Sequence, residues 1–193
     1  TRFRPLSLDI PKPLFPIAGL PMIQHHIEAC VKIQNLKEIL IIGSYNSHEL
    51  QGFVQEMMNI YGIAIRYLQE FTALGTAGGM YHFRDQIRAG GPEAFFIMNG
   101  DVCADFPLRE MVDMHRNNSA ILTVMTTEGT RQESLNYGCM VLDKEDHRQV
   151  VHYVEKPSTF ISTLINCGVY LASLDIFQYM ADVFYKKHQQ DEA

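Results

Sequence analysis

Three cationic side chains lie among prolines at the start of the sequence. Five of the eight prolines fall within residues 1–21, interleaved with Arg2, Arg4 and Lys12. Because proline fixes φ, it stiffens the backbone on either side of these cations. The same stretch is also richer in apolar side chains than a solvated tail usually is: Leu6, Leu8, Ile10, Leu14, Phe15 and Ile17. We interpret it as a rigid, partly buried loop that holds cations towards an anion, with a disordered tail as the alternative.

A glycine-rich turn, LGTAGG, occupies residues 74–79. We expect Gly75 and Thr76 at a helix N-terminus, with Gly78 and Gly79 in its first turn. Small residues there let a ligand approach the backbone, and unpaired N–H groups can bind a base or a phosphate. Taken alone, the motif is better explained by a loop that needs glycine for its own geometry, because short glycine motifs also occur by chance.

The sequence NGD at residues 99–101 directly follows the apolar run AFFIM. A carboxylate at the end of a buried strand, here Asp101, is well placed to bind Mg²⁺, which prefers oxygen ligands and substrate phosphates. The alternative is that Asp101 only forms a turn or caps a helix. Asp105 is the better candidate for a cap, which leaves Asp101 available for a metal.

Three further motifs carry polar groups near strand ends. VEKP provides Glu155 and Lys156, and we expect Pro157 to hold Lys156 extended. INCG places the Asn166 amide within an apolar run, where it needs a partner or a ligand. NYG provides Gly138, against which a bulky ligand could press. Each of these motifs could also be ordinary turn or surface chemistry.

Composition limits the class of protein. The 193 residues suit one domain, and 47% hydrophobic residues suffice for a core. A formal charge of −6 argues against a nucleic-acid binder. The four cysteines are dispersed without a CxxC pair, and the eight histidines lack HExxH spacing, so we expect reduced thiols and no histidine-based metal site. With no apolar run of membrane-spanning length or signal-peptide pattern, we expect a cytoplasmic protein without a membrane partner.

The apolar pattern predicts an α/β fold. Helices and strands alternate as far as residue 126, which predicts a Rossmann-like, mixed but mainly parallel sheet with helices on both faces. The last third predicts strands without long helices between them, then a helix from Leu174 to about Phe184 and a frayed end. Ligands of such sheets bind beyond the carboxyl ends of the strands. The predicted elements are a helix at 21–34, strands at 38–43 and 63–68, helices at 47–62, 76–87 and 108–116, and strands at 94–98, 121–126, 139–143, 150–155 and 165–172.

The order of the motifs is more specific than any one of them. RxRPLS, PKP, LGTAG, NGD, YG, VEKP and NCG follow one another as they do in sugar-1-phosphate nucleotidyltransferases, and the whole chain, residues 1–193, resembles that family. It resembles the mannose-1-phosphate guanylyltransferases more closely. The runs QHHIEAC, HYVEKPSTFIS and INCG are most similar to their alpha-type subunits.

The resemblance implies an activity and a set of site residues. Such an enzyme forms GDP-mannose from GTP and mannose-1-phosphate with Mg²⁺ and releases pyrophosphate. By similarity, Arg2 and Lys12 hold the phosphates as catalytic residues and Asp101 binds the metal. The implied nucleotide-binding residues are Gly75, Thr76 and Gly78, and those around the sugar phosphate are Gly138, Glu155, Lys156 and Asn166. The alternative is a regulatory subunit that binds GDP-mannose and controls a catalytic beta-type partner in a homo- or hetero-oligomer.

The family pattern also extends beyond this sequence. A strand and a GGxGT loop precede the TR pair in the family, and TR here is Thr1 and Arg2, so the resemblance implies that the first strand is missing. It further implies a second metal-binding aspartate and a C-terminal left-handed β-helix beyond residue 193. A third hypothesis, a dinucleotide-dependent oxidoreductase, fits only the alternating architecture, since no GxGxxG follows a strand.

Overall fold

The computed structural model describes residues 10–72 and 74–191. The N-terminal part contains a 3₁₀ turn at Lys12–Leu14, a hairpin of β1 (Pro16–Ile17) and β2 (Leu20–Pro21), and helix α1 (Met22–Cys30). Ala18 and Gly19 connect the two strands with φ values of 50° and 86°. Positive φ at both central residues is typical of the tight turns that suit a hairpin.

A parallel pair of strands forms the first sheet. β3 (Glu38–Gly43) pairs with β4 (Ala64–Gln69) in register from Glu38 opposite Ala64 to Gly43 opposite Gln69. Helix α2 (Ser47–Tyr61) connects them, and Gly62 ends it with a φ of 63°. Asn46 is the cap, because its backbone N–H donates to the carboxylate of Glu49 in a capping box.

The remaining elements run to residue 191. They are α3 (Gly75–His82), α4 (Arg84–Arg88), β5 (Ala94–Met98), α5 (Leu108–Asn117), β6 (Leu122–Glu128), a 3₁₀ turn at Glu133–Asn136, β7 (Cys139–Leu142), β8 (Val150–Val154), β9 (Leu164–Ser173) and α6 (Ile176–Asp191). The single helix expected at 76–87 is divided at Phe83, whose φ and ψ of −93° and 17° leave the helical region. The end of the chain, expected to fray, continues α6 as far as Asp191.

Strand β9 organises the second sheet, which has five strands in the order β5-β9-β7-β8 with β6 also on β9. β9 pairs antiparallel with β5, β6 and β7. Ala172 faces Phe95 of β5 and Leu122 of β6, so β9 lies between these two strands. The predicted mixed α/β architecture is confirmed. The share of parallel pairing is smaller than expected, because β5 and β6, which run parallel to each other, both bond to the intervening β9.

Helices cover both faces of this sheet, as expected. Successive strand residues point to opposite faces. On β5, Phe95 stacks on Phe177 of α6 with ring centroids 5.4 Å apart, while Phe96 packs in a cluster with Leu108 and Met111 of α5. β5 is therefore enclosed by α5 on one side and α6 on the other.

Two apolar clusters form the core, and helix α1 contributes to both. The first comprises Ile27, Ile41, Val54, Met57 and Ile65, and the second comprises Cys30, Leu108, Met111, Val169 and Leu171. Ile27 and Cys30 lie one turn apart on α1, and Ile39 of β3 contacts both clusters. α1 thus fixes the two sheets relative to each other. Across the described part of the chain, every helix is too short or too polar to cross a membrane.

Candidate functional site

An ion pair joins the proline-rich opening to the end of β5. Nζ of Lys12 lies 2.7 Å from Oδ2 of Asp101, and the two side chains are 30% and 55% exposed. The backbone N–H of Lys12 donates to the hydroxyl of Tyr45 at 3.2 Å. The Lys12 ammonium is therefore held beside the Asp101 carboxylate and remains accessible to solvent. Arg2, the other predicted phosphate-binding cation, lies outside the described residues.

The turn that carries Asp101 is fixed from two sides. The N–H of Asn99 donates to the carbonyl of Gly168 on β9 at 2.9 Å. Nε2 of His26 on α1 lies 3.1 Å from the carbonyl oxygen of Asn99, and its Nδ1 lies 3.1 Å from that of Met22. His26 is only 6% exposed. A buried imidazole and a sheet hydrogen bond together fix where the Asp101 turn begins.

A second group of polar side chains surrounds Asn166 on β9. The backbone N–H of Asn166 donates to the carbonyl of Gly138 at 2.9 Å. Its side-chain amide donates to the hydroxyl of Tyr170 at 2.6 Å and lies 3.5 Å from that of Tyr153. The Tyr153 hydroxyl donates to the carboxylate of Glu155. Three residues predicted around the sugar phosphate, Gly138, Glu155 and Asn166, therefore lie together.

Gly168 connects this group to the Asp101 turn. Its N–H donates to the side-chain carbonyl of Asn166 at 2.8 Å, while its own carbonyl accepts from Asn99. Its φ is 72°, and a Cβ there would lie 2.4 Å from Nδ2 of Asn99. Both the left-handed backbone and the close approach require glycine. Two hydrogen bonds thus lead from the Asp101 turn to the Asn166 side chain.

Lys156 is placed differently from the expectation. Its φ is 42°, so the prediction that Pro157 holds it extended is wrong. The backbone N–H of Lys156 donates to the carbonyl of Tyr137 at 3.2 Å, which stabilises this conformation. The residue is exposed at the end of β8, next to Glu155. It therefore lies at the border of the polar group around Asn166.

The glycine-rich turn begins helix α3. Gly75 is the first residue of the helix with a φ of 70°, and a Cβ there would meet nothing within 4 Å. Turn geometry therefore accounts for this glycine. Thr76 is exposed in the first turn, and a Cβ on Gly78 would come within 3.0 Å of Cβ of Leu74. A Cβ on Gly79 would lie 2.2 Å from Oε1 of Glu70, so this glycine accommodates a carboxylate.

Hydrogen bonds connect the end of β4, which leads to the glycine-rich turn, with Lys12 through the residues that follow β3. The N–H of Glu70 donates to the carbonyl of Gly43 at 2.7 Å, and the hydroxyl of Tyr67 donates to the carbonyl of Tyr45 at 2.6 Å. Tyr45 in turn contacts Lys12. The carboxyl ends of β3, β4 and β5 therefore contribute neighbouring groups, as expected for an α/β fold.

Burial keeps the phenols of these residues protonated. Burial, with smaller contributions from the nearby Glu49 and Glu70 carboxylates, raises the pKa of Tyr67 to about 12, although the hydrogen bond to the carbonyl of Tyr45 opposes part of the shift. Burial also raises the pKa of Tyr153, with the hydrogen bond to Glu155 acting in the same direction. Near neutral pH both hydroxyls therefore remain hydrogen-bond donors.

Asp105 does not cap a helix. α5 begins after Pro107 without a side-chain cap, so the expected role of Asp105 is wrong. Asp105 instead lines a cavity of about 430 Å³ between α1 and the start of α5. A cavity of about 270 Å³ lies between α4 and α6. Among the described residues, the predicted site residues line neither cavity.

The metal ligands that the described residues offer are few. Within residues 10–72 and 74–191, no three or more His, Cys, Asp or Glu side chains are grouped so that they could hold a metal ion. Asp101 therefore provides a single carboxylate. Such a site fits Mg²⁺ only if phosphate oxygens and water supply the other ligands, which is how this ion is usually held at nucleotide sites.

Sequence reasoning did not find five residues that complete these contacts. His26, Tyr45, Glu70, Tyr153 and Tyr170 each bond to, or press against, a predicted site residue or its turn. Of the five, only His26 could have been found from the sequence, because it is a polar residue beside the apolar stripe that predicts the buried face of its helix. The other four lie within strands or turns in which aromatic and acidic residues are common.

A comparison with models of known protein families assigns the entire chain to one family. A family model for nucleotidyl transferase covers residues 1–193. The chain belongs to the nucleotidyl transferase family. The resemblance inferred from the order of the motifs is thereby confirmed, and the arrangement of groups at the strand ends belongs to a member of this family.

Several relatives have names that agree with the alpha-type resemblance. The mannose-1-phosphate guanylyltransferase regulatory subunit alpha of Drosophila melanogaster is 62% identical over 195 residues, covering 98% of this chain and 44% of that protein. The human protein of the same name is 55% identical over 192 residues, covering 99% and 45%. This chain therefore spans less than half the length of these relatives.

A solved structure has the same fold. A crystal structure described as a glucose-1-phosphate thymidylyltransferase from Bacillus anthracis, in complex with sucrose, superposes with a TM-score of 0.76 at 22% identity. The match covers 92% of this chain and 69% of that one. At this identity the likeness establishes the fold alone.

Proposed function

We propose that this chain forms a site for GDP-mannose and serves as a regulatory subunit that controls a catalytic mannose-1-phosphate guanylyltransferase. The observation that carries the proposal is the pair of hydrogen bonds through Gly168, which joins the Asp101 turn to the polar group around Asn166. A nucleotide-sugar needs such a pair of neighbouring regions, one for phosphates and one for sugar hydroxyls. The names of the alpha-type relatives support the regulatory role.

Each predicted residue has a role in this proposal. Lys12 neutralises the phosphates, together with Arg2. Gly75, Thr76 and Gly78 contact the guanine nucleotide at the start of α3. Glu155, Lys156 and Asn166 surround the mannose and its phosphate, with Gly138 beside them. A carboxylate and an amide suit a sugar because they accept from and donate to its hydroxyl groups.

Mg²⁺ is proposed as the cofactor that neutralises charge between the phosphates when nucleotide is bound. The Asp101 carboxylate would hold it. The Lys12 ammonium, which contacts this carboxylate in the structure, would then form ion pairs with the phosphates instead. A flexible ammonium can change partners at little energetic cost when both groups are partly exposed.

Catalysis is the second candidate function, because Lys12 places a cation beside Asp101, the carboxylate that we propose as the metal ligand. In that case an oxygen of mannose-1-phosphate attacks the α-phosphorus of GTP. The bond from that phosphorus to the oxygen bridging to the β-phosphate breaks, and pyrophosphate leaves. The residues around the phosphates orient the reactants and stabilise the charge that shifts to the leaving group.

Binding and turnover can be separated in one experiment. Calorimetry on the purified full-length protein measures the affinity for GDP-mannose, GDP-glucose and UDP-glucose, and pyrophosphate release is followed with GTP, mannose-1-phosphate and Mg²⁺. Binding of GDP-mannose without turnover is the expected result. Turnover that Asp101→Asn abolishes would establish the enzyme instead, and the lack of any nucleotide-sugar binding would refute both functions.

The regulatory role needs a further measurement. The protein is mixed with an active mannose-1-phosphate guanylyltransferase, and the rate is measured with and without added GDP-mannose. We expect a stable complex whose rate falls as GDP-mannose rises. The fall should disappear when Glu155→Ala weakens nucleotide-sugar binding in the regulatory subunit. A rate that does not depend on the presence of this chain would exclude regulation.

A further inference from the structure

One hydroxyl lies where three of the proposed sugar-site residues meet. Tyr153 extends from β8, and its Oη donates to the carboxylate of Glu155 and lies 3.5 Å from the amide nitrogen of Asn166. The same oxygen would lie 2.1 Å from a Cβ on Gly138. These three residues lie just before β7, just after β8 and near the start of β9, so Tyr153 connects separate parts of the sheet.

The position of Tyr153 explains the glycine in the NYG motif. A Cβ at residue 138 would also meet Cζ and Cε2 of the Tyr153 ring at 2.6 and 2.8 Å. Gly138 is not among the described glycines with positive φ, so its backbone does not require glycine. The space above Gly138 is therefore occupied by the phenol of this chain, and the earlier interpretation that a ligand presses directly on Gly138 is corrected.

The hydroxyl also restrains the carboxylate of Glu155. Glu155 follows β8 directly and is exposed, so its side chain would otherwise sample several rotamers. A hydrogen bond to a carboxylate is stronger than one between neutral groups and holds one oxygen in a defined place. Tyr153 itself is 46% exposed, so the hydroxyl and its partner can be reached from solvent.

We propose that Tyr153 is a positioning residue of the sugar site, whose hydroxyl orients the Glu155 carboxylate and the Asn166 amide towards the hydroxyl groups of a bound hexose. This inference rests on the proposed function, because it assigns the same site a further residue. A preoriented carboxylate loses less conformational freedom when a sugar binds. The contribution of Tyr153 should therefore appear only with ligands that carry the sugar.

Tyr153→Phe tests this inference, because it removes the hydroxyl and keeps the ring over Gly138. Calorimetry on the full-length protein compares GDP-mannose with GDP, which lacks the sugar. We expect the affinity for GDP-mannose to fall about fivefold to tenfold, the range of one partly exposed hydrogen bond, and the affinity for GDP to change less than about twofold. Tyr179→Phe on the exposed side of α6 is the matched control and should change neither affinity.

A second variant shows whether the effect passes through Glu155. In a Glu155→Ala background, Tyr153→Phe should change the affinity for GDP-mannose less than about twofold, since the carboxylate partner is already absent and only the longer contact with the Asn166 amide remains. Unchanged or tighter GDP-mannose binding by Tyr153→Phe in the wild-type background would overturn the inference. So would an equal loss for GDP and GDP-mannose. If the wild-type protein binds no GDP-mannose, the proposed function has failed instead, and the two failures are thus distinguishable.

Discussion

Nζ of Lys12 lies 2.7 Å from Oδ2 of Asp101, although 89 positions separate the two residues in the sequence. The 3₁₀ turn at Lys12–Leu14 supplies the cation and the turn after β5 supplies the carboxylate. The contact places a positive charge beside the carboxylate that we propose as the metal ligand. We therefore expect an ammonium and a metal ion to compete for Asp101 until phosphates provide the ammonium with another partner.

Lys12→Met should separate metal binding from nucleotide binding. Without the ammonium, Mn²⁺ alone should bind Asp101 more tightly, while the affinity for the metal–GTP complex should fall about tenfold or more because a charged contact to phosphate is lost. Stability should change by no more than about 1 kcal/mol, since both side chains are partly exposed. Electron paramagnetic resonance titration with Mn²⁺, calorimetry with GTP and thermal unfolding measure the three quantities.

Lys144→Met is the control for the change in net charge, because Lys144 is exposed in the turn between β7 and β8. It should leave both affinities unchanged. Asp101→Asn should abolish any Mn²⁺ binding that Lys12→Met has strengthened. If Lys12→Met instead weakens the binding of Mn²⁺ alone, the competition between ammonium and metal does not exist.

Several elements could be predicted closely from the sequence. The strands at Glu38–Gly43 and Ala94–Met98 have the predicted boundaries, and α5 ends one residue later than expected. Short apolar runs between turn residues are reliable signals of buried strands. The division of the helix at Phe83 was not predictable, because no proline or glycine marks it. The position of β9 between β5 and β6 was not predictable either, because it depends on pairing between distant residues.

The candidate site was predictable only in part, because it too depends on strand pairing between distant residues. The family resemblance implied that Lys12 and Asp101 serve the same phosphates, one as a cation and one through a metal ion, and the structure brings their side chains into contact. Their functional roles stay predictions. The contribution of Tyr153 could not be inferred, because it depends on the register that places Cys139 opposite Val154 across β7 and β8. A shift by one residue would turn Tyr153 to the other face of the sheet.

Gly168→Ala should destabilise the fold and disturb the Asp101 turn. The substitution forces alanine into a φ of 72° and brings its Cβ within 2.4 Å of Nδ2 of Asn99. The left-handed backbone and the overpacking together should lower the free energy of unfolding by about 2–4 kcal/mol. Denaturant titration measures the loss.

Gly52→Ala is the matched control, because Gly52 lies exposed within α2 and a Cβ there meets nothing within 4 Å. Alanine has a higher helix propensity than glycine, so this variant should be more stable by about 0.5–1 kcal/mol. Equal stability of the two alanine variants would contradict the role of Gly168 described above.

Gly138→Ala should be tolerated only when Tyr153 is shortened. In the wild-type background the new Cβ collides with the phenol, and the free energy of unfolding should fall by about 1–3 kcal/mol. In a Tyr153→Ala background the same substitution should have an effect of less than about 1 kcal/mol, because the space is then vacant. The four proteins of this cycle are compared by denaturant titration, and additive effects would show that the two side chains do not compete for the space.

Protonation of His115 should destabilise the protein in mildly acidic solution. His115 is buried between α5 and β6, with Nδ1 2.8 Å from Oγ1 of Thr123. Burial lowers its pKa, and the nearby Glu93 carboxylate opposes part of this shift. Because the unfolded chain keeps a histidine pKa of about 6.5, it binds more protons than the folded chain as the pH falls below that value. The free energy of unfolding should therefore decrease from about pH 6.5 downwards, until the pH reaches the lowered pKa of the folded state.

Two substitutions test this assignment by denaturant titration between pH 5 and pH 8. His115→Gln removes the titrating group, so the decrease should become shallower than in the wild-type protein. Glu93→Gln removes the carboxylate that raises the pKa of His115, so the decrease should continue to lower pH. Asp143 and Asp146 cannot produce the same effect, because backbone N–H donors lower their pKa values and their contribution is lost only as the pH falls towards about 4. An identical pH dependence in the wild-type protein and His115→Gln would assign the acid sensitivity to another group.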